Sequence, residues 1–234
     1  MNRRVSVPRR FNGPRSSGNG GYSAGLVAGA IEGPAQVSLR RPVPLDRELR
    51  IEAGDHGARL VDGNQLIAEG VPAPDFDLRV PDPVSLSEAT EAASHYRGLA
   101  DGEFSECFVC GLARPDSFEV FAGQVPGRDL VATPWTPPDW TANGGGKVRP
   151  EFVWAVLDCP TFFAAHLGRD LTMSVLARLT ARIDRAVRTQ DSYSVMSWPL
   201  GSEGRKHSAG IAICDADGGT VAVGEALLIE PRGA

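Results

Sequence analysis

The chain writes one pattern twice, and that duplication restricts its fold more than any other feature. In the first copy a glycine-rich, helix-like stretch, GGYSAGLVAGAI (20–31), is followed by AQVSLRRPV, RELRIEAG and ARLVDGNQLIAEGVPA. In the second, PEFVWAVLDCPTFFAA (150–165) is followed by VLARLTARIDRAV, DSYSVMSWPL and KHSAGIAICDADGGTVAVGEALLIE. Each copy closes on a hairpin signal, Asp62-Gly63-Asn64 in one and Asp217-Gly218-Gly219 in the other, set between apolar runs. Leu179, Ala181 and Ile183 alternate with Thr180, Arg182 and Asp184, and Val37 and Leu39 alternate with Ser38 and Arg40, the period of a half-buried strand. One helix and then a run of strands, twice, predicts duplicated α+β units with antiparallel sheets. A parallel βαβ sheet is not expected.

Between the copies lies VPAPDFDLRVPDPVS, which carries Pro72, Pro74, Pro81 and Pro83 and reads as a strap rather than a core element. SLSEATEAASHYRGL (85–99) then predicts a short helix, capped by Ser85 or Ser87 and ending near Gly98. The expected division is an N-terminal repeat over 1–75, a linker with its helix over 76–103, and a C-terminal repeat over 104–234. SFEVFAG and RDLVATPW predict two strands ahead of the second long helix. The first copy offers only RVSVPRRF there and reads as truncated.

Composition narrows the function. A formal charge of −5 with no basic stripe beyond MNRRVSVPRR argues against a nucleic-acid partner. No run approaches the roughly 18 apolar residues of a membrane span. The arginines at the start have no apolar run behind them, so no secretory signal is read and a cytoplasmic location is expected. Of the four cysteines, Cys107 and Cys110 form a CFVCG motif. A structural zinc site needs two more ligands at compatible spacing, and no second CxxC or HxxxH is present. The expectation is therefore two buried thiols flanking a turn that ends at Gly111, with no metal.

GNGGYSAGLVAGAI with VSLRRPVPLDRELRIEAG and ARLVDGNQLIAEGVPA resembles the N-terminal half of acyl-CoA thioesterase II-like enzymes, which open a first helix with Gly-Gly and then run a strand ending in Arg-Pro. WAVLDCPTFFAA through GTVAVGEALLIEP resembles their second half, and CFVCG is similar to single-hotdog thioesterases of the phenylacetic-acid-pathway type. The resemblance spans about 10–75 and 104–231 and implies a double hotdog: two long helices, each wrapped by an antiparallel sheet, with the sheets joined. It implies a coenzyme A thioester as substrate, no further cofactor, and a monomer or homodimer.

On this reading Gly25 and Gly29 let the first helix sink against its sheet. Gly20 and Gly21 stand at the helix start, either as N–H donors to a developing oxyanion or as a tight turn needing positive φ. Asn19, just ahead of them, is a further donor to a carbonyl but not a base. Asp158 is the only charge in FVWAVLDCPTFFAA, and a carboxylate in such surroundings must be paired, hydrogen-bonded or protonated. The resemblance makes it the general base. The alternative is a cap on the turn restarting at Cys159-Pro160.

The family's water-holding threonine and glutamine fall here on Leu176 and Ala226, with Ser174, Thr180 and Glu225 nearby. Tyr22, Arg40, Arg182, Arg205 and Lys206 are assigned to the substrate, the basic residues (Arg41 and Arg185 beside them) to the phosphates of coenzyme A. Three activities compete: a thioester hydrolase, an acyl-ligand binder with weak chemistry, and a hydratase or dehydratase. The last ranks lowest because no histidine sits near either helix start.

Overall fold

A computed structural model describes residues 2–98 and 101–232. In chain order its elements are β1 (Asn2–Ser6), a 3-10 turn (Arg9–Phe11), α1 (Gly20–Ala28), β2 (Ala35–Leu39), β3 (Glu48–Gly54), β4 (Gly57–Asp62) and β5 (Gln65–Pro72). After α2 (Leu86–Ala93) come β6 (Gly123–Gln124), β7 (Val131–Trp135), a second 3-10 turn (Asp139–Thr141), α3 (Pro150–Val156), α4 (Cys159–Ala165), β8 (Val175–Ile183), β9 (Tyr193–Glu203), β10 (Lys206–Cys214) and β11 (Thr220–Ile229). Strand, 3-10 turn, helix and four strands thus occur twice.

The strands form one antiparallel sheet of 11, in the order β1-β3-β4-β5-β2-β8-β11-β10-β9-β7-β6. Read outward from its centre, each side repeats the other: β2, β5, β4, β3, β1 against β8, β11, β10, β9, β7. The two sides join where β2 pairs β8, from Ala35 opposite Ala181 to Ser38 opposite Arg178. Both hairpin signals form turns, with Gly63 and Gly218 at φ of 58° and 81°, where glycine has no steric cost. Ser85 closes a capping box with Glu88 at the start of α2. That helix ends at Ala93, before Gly98, and Leu99 lies outside the described residues.

Three expectations are corrected. SFEVFAG does not form a strand. Glu119 has φ of 55°, and Phe118 and Val120 donate their N–H groups to Phe108 and Val109, which fastens the segment to the cysteine loop instead. The second long helix is two, α3 and α4, because Pro160 has no N–H to give the carbonyl of Val156.

The glycines of α1 face a helix rather than a sheet. A Cβ on Gly25 would lie 2.6 Å from Cα of Glu151, and one on Gly21 would lie 2.6 Å from Cβ of Asp158 and against the Trp154 carbonyl. Backbone therefore meets backbone between α1 and α3. Gly29 packs on nothing beyond its own helix; it is the C-cap and exposed. Among the described residues no helix is long and apolar enough to cross a membrane.

Candidate active site

The close α1–α3 crossing sets the start of α1 beside the break between α3 and α4. Asp158 occupies that break with φ −95° and ψ −66°, and its side chain does not cap α4. It turns across the interface instead: the N–H of Gly21 donates to Asp158 Oδ2 at 2.8 Å. Residues 137 apart in sequence thus share a hydrogen bond between the two copies of the pattern. Asp158 is 8% exposed, and burial pushes its carboxyl up to about 7, helped by the charge of Cys107 and opposed by the Gly21 N–H. No lysine, arginine or histidine pairs with it among the described residues.

Gly20 and Gly21 both lack positive φ, so neither serves as a left-handed turn. The N–H of Gly21 is engaged by the carboxylate. That of Gly20, at the first position of α1, has no acceptor within the helix, and Gly20 lines a cavity of about 840 Å³. The same cavity is lined by Asp158, Asn19, Leu176, Ser174, Arg40 and Arg41, with Phe104, Phe162, Phe163, Met173 and Leu228 making much of its wall apolar. Ser174 is 2% exposed, and its hydroxyl has no hydrogen-bond partner among the described residues. A buried hydroxyl left unpaired beside a cavity is a ready contact for a ligand's polar atom.

Asn19 caps α1 through Oδ1, which accepts the N–H of Tyr22 at 2.8 Å. That bond fixes which end of the amide faces the cavity. Nδ2 points at sulfur, 3.6 Å from Cys159 Sγ and 3.9 Å from Cys107 Sγ. Cys107 arrives from the segment laid over both helix starts, which is tied down by the N–H of Phe108 to the carbonyl of Asn12 and by Asn12 Nδ2 to that of Glu106. Gly111 closes the turn, its N–H on the carbonyl of Cys107. All four cysteines are buried and none is in a disulfide; burial of the two in CFVCG agrees with the sequence. The spacing around CFVCG gave no sign that Cys159, 52 residues on, would stand 3.6 Å from Cys107.

The residues assigned to the substrate separate. Tyr22 is outside the cavity wall: its ring lies among Phe11, Phe108 and Phe152, and burial, with Glu151 adding to it, raises its hydroxyl to about 12. Arg182 faces Asp77, Asp184 and the Phe76 carbonyl, and Arg205 donates to the Glu230 carbonyl. Neither they nor Lys206 line the cavity. The sequence placed these three on strands and turns that the sheet carries elsewhere. Arg40 does line it, held by two hydrogen bonds to Glu69, and Arg41 lies beside it. Leu176 stands against Gly20 and Asp158, whereas Ala226 is buried opposite Leu179. Thr180 and Glu225 face each other away from the cavity.

Solved structures share this architecture over the whole chain. A candidate thioesterase from Novosphingobium aromaticivorans superposes with a TM-score of 0.66 at 11% identity, covering 98% of this chain and 95% of that one. An acyl-CoA thioesterase II from Mycobacterium marinum gives 0.63 at 12%, over 100% and 94%. A hot dog fold protein of unknown function from Alicyclobacillus acidocaldarius gives 0.63 at 10%, over 100% and 93%. No family model and no curated protein sequence matches the chain. The likeness is one of fold: the protein has the hotdog fold that such thioesterases also have.

Proposed function

We propose that the protein is a double hotdog, with repeats over 1–75 and 104–234 and a linker over 76–103, that hydrolyses an acyl thioester in the cavity between the repeats. The observation that carries this reading is the buried Asp158 carboxylate, aimed into an apolar cavity and oriented by the N–H of the helix facing it. With Oδ2 held by Gly21, Oδ1 is the oxygen left to take a proton from water. The water oxygen bonds to the thioester carbon while its proton moves to Asp158. The N–H of Gly20, at the positive end of α1, stabilises the oxyanion. The oxyanion then collapses, the C–S bond breaks with its electron pair leaving on sulfur, and the thiolate takes back the proton held by Asp158, giving a carboxylic acid, a free thiol and the regenerated carboxylate.

Ser174 binds the water or the thioester oxygen, in place of the threonine and glutamine whose positions hold Leu176 and Ala226. The apolar wall receives the acyl chain. Arg41 at the rim meets the phosphates of a coenzyme A carrier, Arg40 being already paired with Glu69. The same wall supports the second reading, an acyl-ligand binder, because Leu176 adds apolar surface where a water-holding group is wanted.

One panel separates the two: thiol release from short-, medium- and long-chain acyl-CoAs, alongside the shift each causes in Tm. Turnover with at least one chain length is expected. A Tm shift with no thiol release from any of them would leave the binding reading and overturn hydrolysis.

A further inference from the structure

The cysteines form a group that the hydrolytic scheme does not use. Cys107, Cys110 and Cys159 bring their sulfurs within 4.8 Å of one another, and all three line the cavity. Cys107 Sγ and Cys159 Sγ are 3.6 Å apart. A tetrahedron with metal–sulfur bonds of about 2.3 Å has edges of about 3.8 Å, so two sulfurs bound to one zinc ion lie at nearly this separation.

The surroundings of the sulfurs agree. The Asn19 amide, fixed by its bond to Tyr22, turns Nδ2 rather than Oδ1 to Cys159 and Cys107. An amide N–H turned to sulfur is the kind of outer partner that a metal-bound cysteine accepts.

The other group of ligand-type side chains makes a useful contrast. His166 Nδ1 and Nε2 meet the Phe162 carbonyl and Thr172 Oγ1, while His207 Nδ1 and Nε2 meet Ser202 Oγ and Glu230 Oε1. Every ring nitrogen there already has a protein partner.

We propose that Cys107, Cys110 and Cys159 bind one zinc ion, with its fourth coordination position open to the cavity and filled by water. Three thiolates select a soft or borderline cation such as Zn²⁺ over Mg²⁺ or Ca²⁺. Three protein ligands and a water is the pattern of an open site rather than of a closed structural one. The ion ties the 107–110 turn to the first residue of α4 and so fixes the cavity wall beside Asp158.

The test is metal content, which reads the site whether or not thioesters are cleaved. Protein prepared with zinc present, then dialysed, is expected to retain about one zinc per chain. Exchange for Co²⁺ should give the visible bands and sulfur charge-transfer absorption of tetrahedral cobalt thiolate. Cys159→Ser and Cys107→Ser should lose at least tenfold in affinity for Co²⁺. Cys214→Ser and His207→Ala should retain the metal. Should a serine variant fail to fold, cobalt reconstitution of the wild-type chain decides alone. Wild type that holds no zinc and gives no cobalt–thiolate absorption, or whose cysteines prove to be joined in a disulfide, would overturn the proposal.

Discussion

Two residues on the cavity wall are separable by substitution. Asp158→Asn keeps an oxygen for the Gly21 N–H and removes a carboxylate that burial disfavours, so the variant should fold with a Tm no lower than wild type. Ser174→Ala removes a hydroxyl with no protein partner, so stability should hold within about 0.5 kcal/mol while kcat/KM falls roughly tenfold. A drop in Tm without loss of activity would make Ser174 structural. At the rim, Arg41→Gln should raise KM for an acyl-CoA and leave that for a short N-acetylcysteamine thioester unchanged; equal effects on both would remove Arg41 from phosphate binding. Asp158 was legible in sequence because a lone charge in an apolar helical run needs an explanation. The disposition of the basic residues was not, since a strand-edge arginine reads the same whether it faces a cavity or a neighbouring carboxylate, as Arg182 does.

At the scale of elements, the opposed roles of the α1 glycines give a prediction of sign. Gly25→Ala drives a methyl into the backbone of α3 and should cost about 1–3 kcal/mol, read as a lower urea midpoint. Gly29→Ala adds its methyl in open surroundings at a helical φ of −63° and should be neutral or stabilise by up to about 1 kcal/mol. Equal destabilisation by both would contradict the helix–helix contact. Helix periodicity and turn chemistry made α1, the hairpins and a short helix capped at Ser85 or Ser87 readable in sequence; the capping box with Glu88 settles the cap on Ser85. The partner of the glycine face was not readable, because spacing reports which residues share a face and not what covers it. Pro160 explains the α3–α4 break that the reading of one long helix passed over, and where Asp158 points depends on Gly21 in the other copy.

The whole molecule places its candidate chemistry between the copies, so neither should work alone. One sheet runs through the β2–β8 pairing and α1 is locked to α3, which predicts a single cooperative unfolding transition. All four tryptophans lie at 135, 140, 154 and 198, so fluorescence reports the second copy while far-ultraviolet circular dichroism reports both. Coincident transitions are expected, and separated ones would show the copies to be independent. The duplication itself was the most legible feature, and it carried the fold; the third cysteine and the unpaired serine come together only once the chain closes. The central claim is that water attacks a thioester with Asp158 taking its proton. The direct measurement is kcat for thiol release from the best acyl-CoA substrate, in wild type and in Asp158→Asn of matched Tm. A fall of about 10²–10⁴-fold is predicted; turnover unchanged in the variant would contradict the account.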